Sequence, residues 1–198
     1  MSQVLPSDPR PLFEEATSQV ARLIASVRPD QYELSTPCSE FDVRRLVSHC
    51  IGGMRRIAVV GEGGDGNAVV SFADEVPDAG LAEAYDAARA DALKAWQDEA
   101  VLDRQVSVPW GKVPGRGALS GYVLESSAHA WDLREALGRT DPLPPEPAVF
   151  ALAFARQTLP AERRGADVPF DEVVPAPEGA DAHGELAAWL GRRPLGRP

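Results

Sequence analysis

The sequence is poor in cysteine, in positive charge, in long apolar runs and in histidine, and each shortage excludes something. Two cysteines, Cys38 and Cys50, in 198 residues cannot staple a disulfide fold. The opening MSQVLPSDPR lacks the apolar run of a secretory signal, so a cytoplasmic protein with reduced thiols is expected. Acidic residues outnumber lysine and arginine 30 to 20, for a net charge of −10. Such a chain repels phosphate backbones and anionic lipid, so neither nucleic acid nor a membrane is the expected partner. No apolar stretch approaches the roughly 20 residues that span a bilayer. The glycine cluster at 61–66, GEGGDG, lacks the lysine and spacing of a phosphate loop. Repeats and low-complexity tracts are absent too. What the chain does have is 44% apolar residues, enough to enclose one substantial core.

Apolar periodicity predicts four long helices. The first is capped by Asp8, has Pro9 at its first position and runs to about Val27, with Phe13, Ala16, Val20, Leu23, Ile24 and Val27 on one side. Pro29 disfavours helix beyond it. Asp42 caps the second helix, which begins near Val43, and Phe41 with Leu46 has the spacing of a hydrophobic staple. Its stripe of Val43, Leu46, Val47, Cys50, Ile51, Met54, Ile57 and Ala58 ends at the glycine cluster. The third helix is expected over 78–100, with Asp78 as cap and Leu81, Ala84, Tyr85, Ala88, Ala92 and Trp96 buried. VSVPWGKVPGRG then reads as a short extended excursion, and the fourth helix covers about 118–137, closed by Gly138.

These elements predict an all-α fold of one domain over 1–198, a four-helix bundle with a short extended loop and a C-terminal appendage. The bundle core spans about 8–138, a stiff proline linker 139–147, and the appendage 148–198. The appendage is expected to hold a fifth helix over about 147–159 with Val149, Leu152 and Ala153 inward and Phe154 beside them. Extended VPFDEVVPAP follows, then a short helix from Asp181 to Leu190 that ends at Gly191.

Within the fourth helix, ESSAHAWDL at 125–133 places Glu125, His129 and Asp132 in a sector of roughly 60° at about 100° per residue. That sector borders the apolar stripe, so the polar groups point toward the bundle, where a carboxylate and an imidazole need partners. Only three histidines exist, His49, His129 and His183. His49 lies at the edge of the second helix's stripe, from where it completes a site with Glu125 and His129 across a bundle. Two imidazoles and one carboxylate leave coordination positions open, as catalytic metal sites do. Asp132 then either fixes an imidazole tautomer from behind or serves as a fourth ligand. The same spacing also fits a plain surface Glu–His pair, with Asp132 meeting Arg134, Arg139 or solvent.

Three segments, TPCSEFDVRRLVSHCIGG, VPWGKVPG and LESSAHAWDLREALG, occur in the order and spacing of a known family. The chain resembles, over about residues 10–190, the DinB-like superfamily and within it the actinobacterial group related to the N-terminal domain of mycothiol-dependent maleylpyruvate isomerase. The resemblance implies a four-helix bundle holding a divalent metal, most often zinc, on His49, Glu125 and His129. It also implies a low-molecular-weight thiol of the mycothiol type as co-substrate, bound by the metal as thiolate, and a small electrophile as the second substrate. The reaction implied is thiol transfer or thiol-assisted isomerisation. The isomerase resembles this chain in its N-terminal part only and carries a further domain, whereas here about 60 residues follow the fourth helix.

Other polar candidates are weaker. Cys50 is rotated about 100° from His49 into the apolar stripe and reads as a small core residue, while Cys38 is expected to pack at the bundle end. Arg56, two turns after His49, is a candidate clamp for an anionic substrate, with Arg55 beside it. Trp110 reads as a loop anchor or a cover for the site, and His183, in the acidic PEGADAHGE stretch, as a surface residue. Against the enzyme stand two other functions, a non-catalytic metal or small-molecule binding protein and a helical module that forms a homodimer.

Overall fold

The computed structural model describes residues 7–162, 164 and 170–196. Helix α1 spans Arg10–Ala25, one residue later than the sequence reading, because the Asp8 carboxylate accepts from the Arg10 backbone amide at 3.0 Å and also grips its guanidinium. It stops short of Val27, where Ser26 and Val27 donate back to Leu23 and Ile24 in a tightened last turn. Helix α2 spans Val43–Gly61, and Asp42 caps it by accepting from Arg45 N at 2.7 Å.

The predicted third helix is broken. A 3-10 turn occupies Asp78–Gly80, α3 covers Leu81–Ala95 and a single turn, α4, covers Ala100–Asp103. Asp98 accepts from the Ala100 amide at 2.9 Å, so its side chain competes with the continuing helix and restarts the chain in a new direction. Trp96, at the end of α3, donates its indole N–H to Ile57 O at 2.9 Å and packs on Gly61, tying α3 to α2. The extended excursion is an antiparallel hairpin, β1 Gln105–Val108 and β2 Gly111–Pro114, in which Val108 faces Gly111 across a two-residue Pro109–Trp110 loop.

Helix α5 spans Gly115–Leu137 and ends at Gly138 in the left-handed conformation, φ 63°. Helix α6 covers Glu146–Thr158 and α7 covers Ala182–Trp189, capped by Asp181. In α6 the inward residues are Ala148, Phe150, Ala151, Leu152 and Ala155. Val149 is 44% exposed and Ala153 is half-buried, contrary to expectation, while Phe154, half-buried, packs against the smaller core as expected. The run AVFALAFA is apolar on every side, so no periodicity selects a face, and the small alanines decide how closely α6 approaches α5. The expected extended stretch has no strand over 170–177; only Val174 N reaches across, to Ala188 O at 3.0 Å. Val168 and Pro169 lie outside the described residues.

Helix α2 packs chiefly on α3 and α1 on α5, and α6 and α7 lie on the far side of α5. The main core is filled by Phe13, Leu46, Ile57, Tyr85, Trp96 and Leu119, and a smaller one by Leu124, Ala128, Ala151, Leu152, Leu186 and Leu190. At roughly 25 cal/mol per Å² of apolar surface removed from water, each of the large side chains stabilises the fold by about 2 kcal/mol or more. No helix among the described residues is long and apolar enough to cross a membrane.

Candidate metal centre

His49 reaches the centre because of what α2 lacks around it. Gly53, one turn on, lies beside Glu125, and a Cβ there would meet Oε1 at an ordinary contact distance of 4.0 Å, so the tight position is its neighbour Gly52. At Gly52 a Cβ would fall 2.4 Å from the Ser71 carbonyl oxygen, so only glycine lets the α2–α3 loop lie against the helix. That loop carries Phe72, whose ring centroid is 5.6 Å from His49, and Phe41 stands 5.5 Å from His49 and 5.6 Å edge-on from Phe72, so the three rings form one cluster. Arg45 stacks over Phe72 at 3.3 Å and pairs with Asp74, which keeps the loop in place.

Helix α5 supplies the rest from a single face. Glu125 Oε1 lies 3.2 Å from His49 Nε2, and the rings of His49 and His129 are 5.2 Å apart and nearly perpendicular. One ligand atom from each of His49, Glu125 and His129 lies within 4.8 Å of the other two. Behind them, Asp132 Oδ2 stands 3.1 Å from His129 Nδ1. A carboxylate can only accept there, so the proton sits on Nδ1 and the Nε2 lone pair is left for a ligand. Burial pushes the Glu125 pKa up, but the hydrogen bond to His49 and nearby positive charge, Arg56 included, outweigh it and leave the carboxyl below its usual range. Glu125 is therefore an anion at neutral pH. His49 Nδ1 is buried without a hydrogen-bond partner among the described residues. Two imidazoles and one carboxylate at this spacing can hold a divalent ion and leave it open positions.

The plain-pair alternative for ESSAHAWDL does not describe this arrangement. Asp132 is fully buried; Arg134 pairs with Asp181 at 2.5 Å, and Arg139 donates to Ser26 O at 3.1 Å. Arg56 places hydrogen bonds on Gly66 O, Val69 O and Ser71 Oγ, holding the same loop, and its charge reaches Glu125 and Tyr122. Arg55 pairs with Glu75 at 2.6 Å. Trp110 is 53% exposed and lies edge-on to Tyr122, 5.4 Å between centroids. Tyr122 sits one turn before Glu125, and its buried hydroxyl has no hydrogen-bond partner among the described residues.

Both cysteines are poor nucleophiles. Burial drives the Cys50 thiol well above its ordinary pKa and lifts Cys38 to about 11. His183 is the clearest departure from the sequence reading. It is 1% exposed, with Nε2 3.0 Å from Gln19 Oε1, and Gln19 in turn donates to Pro144 O. Burial lowers its pKa to about 4. Its acidic, glycine-containing neighbourhood suggested solvent, but His183 occupies the buried side of α7's first turn, against α1. Sequence reasoning also missed Phe72 and Arg192. Phe72 had a signal, one turn-flanked aromatic in a polar loop; Arg192 had only its place just after a helix-ending glycine.

Residues 13–134 match the family described as the mycothiol maleylpyruvate isomerase N-terminal domain. Two proteins of Mycobacterium tuberculosis, uncharacterized protein Rv0738 of strain H37Rv and uncharacterized protein MT0763 of strain CDC 1551, are each 34% identical over 185 residues, covering 93% of this chain and 98% of theirs. The crystal structures of the mycothiol-dependent maleylpyruvate isomerase and of its histidine-to-alanine mutant superpose with a TM-score of 0.55, at 17% and 18% identity. The overlap covers 65% of this chain and 61% of the isomerase, so the chain spans about three-fifths of that enzyme's length and shares its fold there.

Proposed function

Because the chain belongs to the family of the mycothiol maleylpyruvate isomerase N-terminal domain, we propose that it is a divalent-metal-dependent enzyme. It joins a small thiol of the mycothiol type to a small electrophile, as a transferase or an isomerase. The observation that carries this reading is the convergence of His49, Glu125 and His129 within 4.8 Å, with Asp132 holding the third.

His49, Glu125 and His129 are the metal ligands in this reading, and zinc is the ion that best suits two imidazoles and a carboxylate. Such an ion lowers the pKa of a coordinated thiol or water, so a nucleophile exists at neutral pH. The protein's own groups do the positioning. Asp132 keeps His129 in one tautomer, and Phe41 and Phe72 hold the His49 ring and shield it from water. Arg56 sets positive charge beside Glu125, which favours an anionic thiol or an electrophile that carries a carboxylate. Addition of the thiol across an activated double bond, sulfur to one carbon and its proton to the neighbouring carbon as the π bond breaks, constitutes transfer; addition of the thiolate, rotation about what is then a single bond and expulsion of the same thiolate with the double bond re-formed constitutes isomerisation.

The test is metal content by plasma mass spectrometry on protein purified without an affinity tag, comparing wild type with His129→Ala and Glu125→Gln. Near-stoichiometric divalent metal in wild type, lost in both variants, is expected, followed by consumption of mycothiol in the presence of an electrophile. If wild type binds no metal even after incubation with zinc, the three residues are a hydrogen-bonded cluster and the function moves to binding or dimerisation. Metal without thiol consumption would make the protein a binding module.

A further inference from the structure

Asp132 is a fully buried carboxylate, and both of its oxygens need a partner. Oδ2 has His129. Oδ1 has no hydrogen bond, but Arg192 Nε stands 3.4 Å from it, and that Nε likewise has no other acceptor. Two buried orphans therefore face one another, a few tenths of an ångström beyond a charge-assisted hydrogen bond. The Arg192 side chain is only 12% exposed, and its Nη2 donates to Cys38 Sγ at 3.3 Å. Its placement is dictated by the backbone. Helix α7 ends in a Schellman motif in which Gly191 N donates to Ala188 O at 3.1 Å and Arg192 N to Ala187 O at 2.9 Å. Gly191 takes φ 80°, and a Cβ there would fall 2.5 Å from Asp171 Cβ. Only glycine makes this turn, and the turn aims Arg192 at α5.

We propose that Arg192 is a positioning residue of the metal centre: it anchors Asp132 Oδ1 so that Oδ2 holds the His129 imidazole with its free nitrogen toward the ion. The appendage, outside the 13–134 segment that matches the family, thereby completes the site built by the bundle. Arg192 never touches the ion, and its effect passes through Asp132. The inference rests on the metal reading above.

The experiment is a zinc-affinity measurement on the full chain, by competition with a chelating dye, for wild type, Arg192→Met, Arg192→Lys, Asp132→Asn and the Arg192→Met/Asp132→Asn double variant. Arg192→Met keeps most of the side-chain volume and is expected to weaken zinc binding by on the order of 10-fold, as loss of a partner behind a metal ligand does. Arg192→Lys falls between the two, because an ammonium keeps the charge without the planar fork. The double variant binds as Asp132→Asn does, because Arg192 has no other route to the ion. Wild-type affinity in Arg192→Met, or losses that simply add in the double variant, would overturn the proposal while leaving the metal reading intact. Absence of zinc binding in wild type would overturn both. Should Arg192→Met fail to fold, ring-nitrogen NMR of metal-free wild type and Arg192→Lys decides. One His129 tautomer protonated on Nδ1 is expected in wild type and a mixture in the variant; identical spectra would refute the positioning role.

Discussion

The two helices that build the centre are buried in different ways. Helix α2 follows the ordinary rule: Leu46, Val47, Ile51 and Met54 face the core while Arg45 and Arg55 face water. Helix α5 is enclosed almost all round, since the bundle takes Leu119, Val123, Ala130 and Leu133 and the appendage takes Leu124 and Ala128. The polar groups of an enclosed helix cannot be satisfied by bulk water, so they must be satisfied by other side chains. Asp132, His129 and Arg192 form such a chain, and beside it Glu125 of the same helix pairs with His49 from α2. The site is polar where the helix is most buried.

Two truncations sharpen this contrast most strongly. Trp96→Ala, on the α2–α3 side, is expected to cost about 3–5 kcal/mol in urea denaturation yet leave the zinc affinity of the folded protein unchanged. Leu186→Ala, on the appendage side of α5, costs about 2–5 kcal/mol and also weakens zinc binding, because α7 carries Arg192. Equal zinc affinities in the two variants would break the distinction.

Acid separates the regions next. His183 is held neutral by burial, with a folded pKa of about 4 against an ordinary 6.5. Between those values the unfolded chain takes up a proton that the folded chain refuses. The stability contribution is complete above about pH 6.5 and is lost as pH falls toward 4, on the order of 3 kcal/mol in all. Thermal melts of wild type and His183→Gln across this range should converge as the pH drops, and parallel curves would contradict the assignment.

Smaller effects follow on the bundle side. Asp42→Ala removes the α2 cap and should cost about 1 kcal/mol, read as a lower urea midpoint; no change would mean that the Arg45 amide finds another acceptor. Tyr122→Phe removes an unpartnered buried hydroxyl and should leave stability the same or raise it by under about 1 kcal/mol. A clear loss in its melting temperature would reveal a partner for that oxygen.

Much of this was legible in the residues. The cap at Asp42, the stops at Gly138 and Gly191, and the stripe of α2 are local signals carried within a turn or two of chain, whereas the caps expected at Asp8 and Asp78 give way to Pro9 and Gly80. His49, Glu125 and His129 could be brought together before any coordinates, because three histidines leave few combinations and helical spacing puts two of the groups on one face. The inward face of α6 was not legible, because an unbroken apolar run has no preferred side. His183 was misread because local polarity describes neighbours in sequence, whereas its burial comes from Gln19, 164 positions away.

The sequence by itself determined where α2 begins, where α5 and α7 end and which side chains of α2 and α5 share a face, since capping and periodicity act over a few residues. Tertiary structure alone decided that α5 would be enclosed from both sides, that a loop would seat Phe72 on His49, and that Arg192 from the last helix would meet Asp132. Those pairings join residues that are 23 and 60 positions apart along the chain, and only the packing of whole helices brings such groups within a few ångströms.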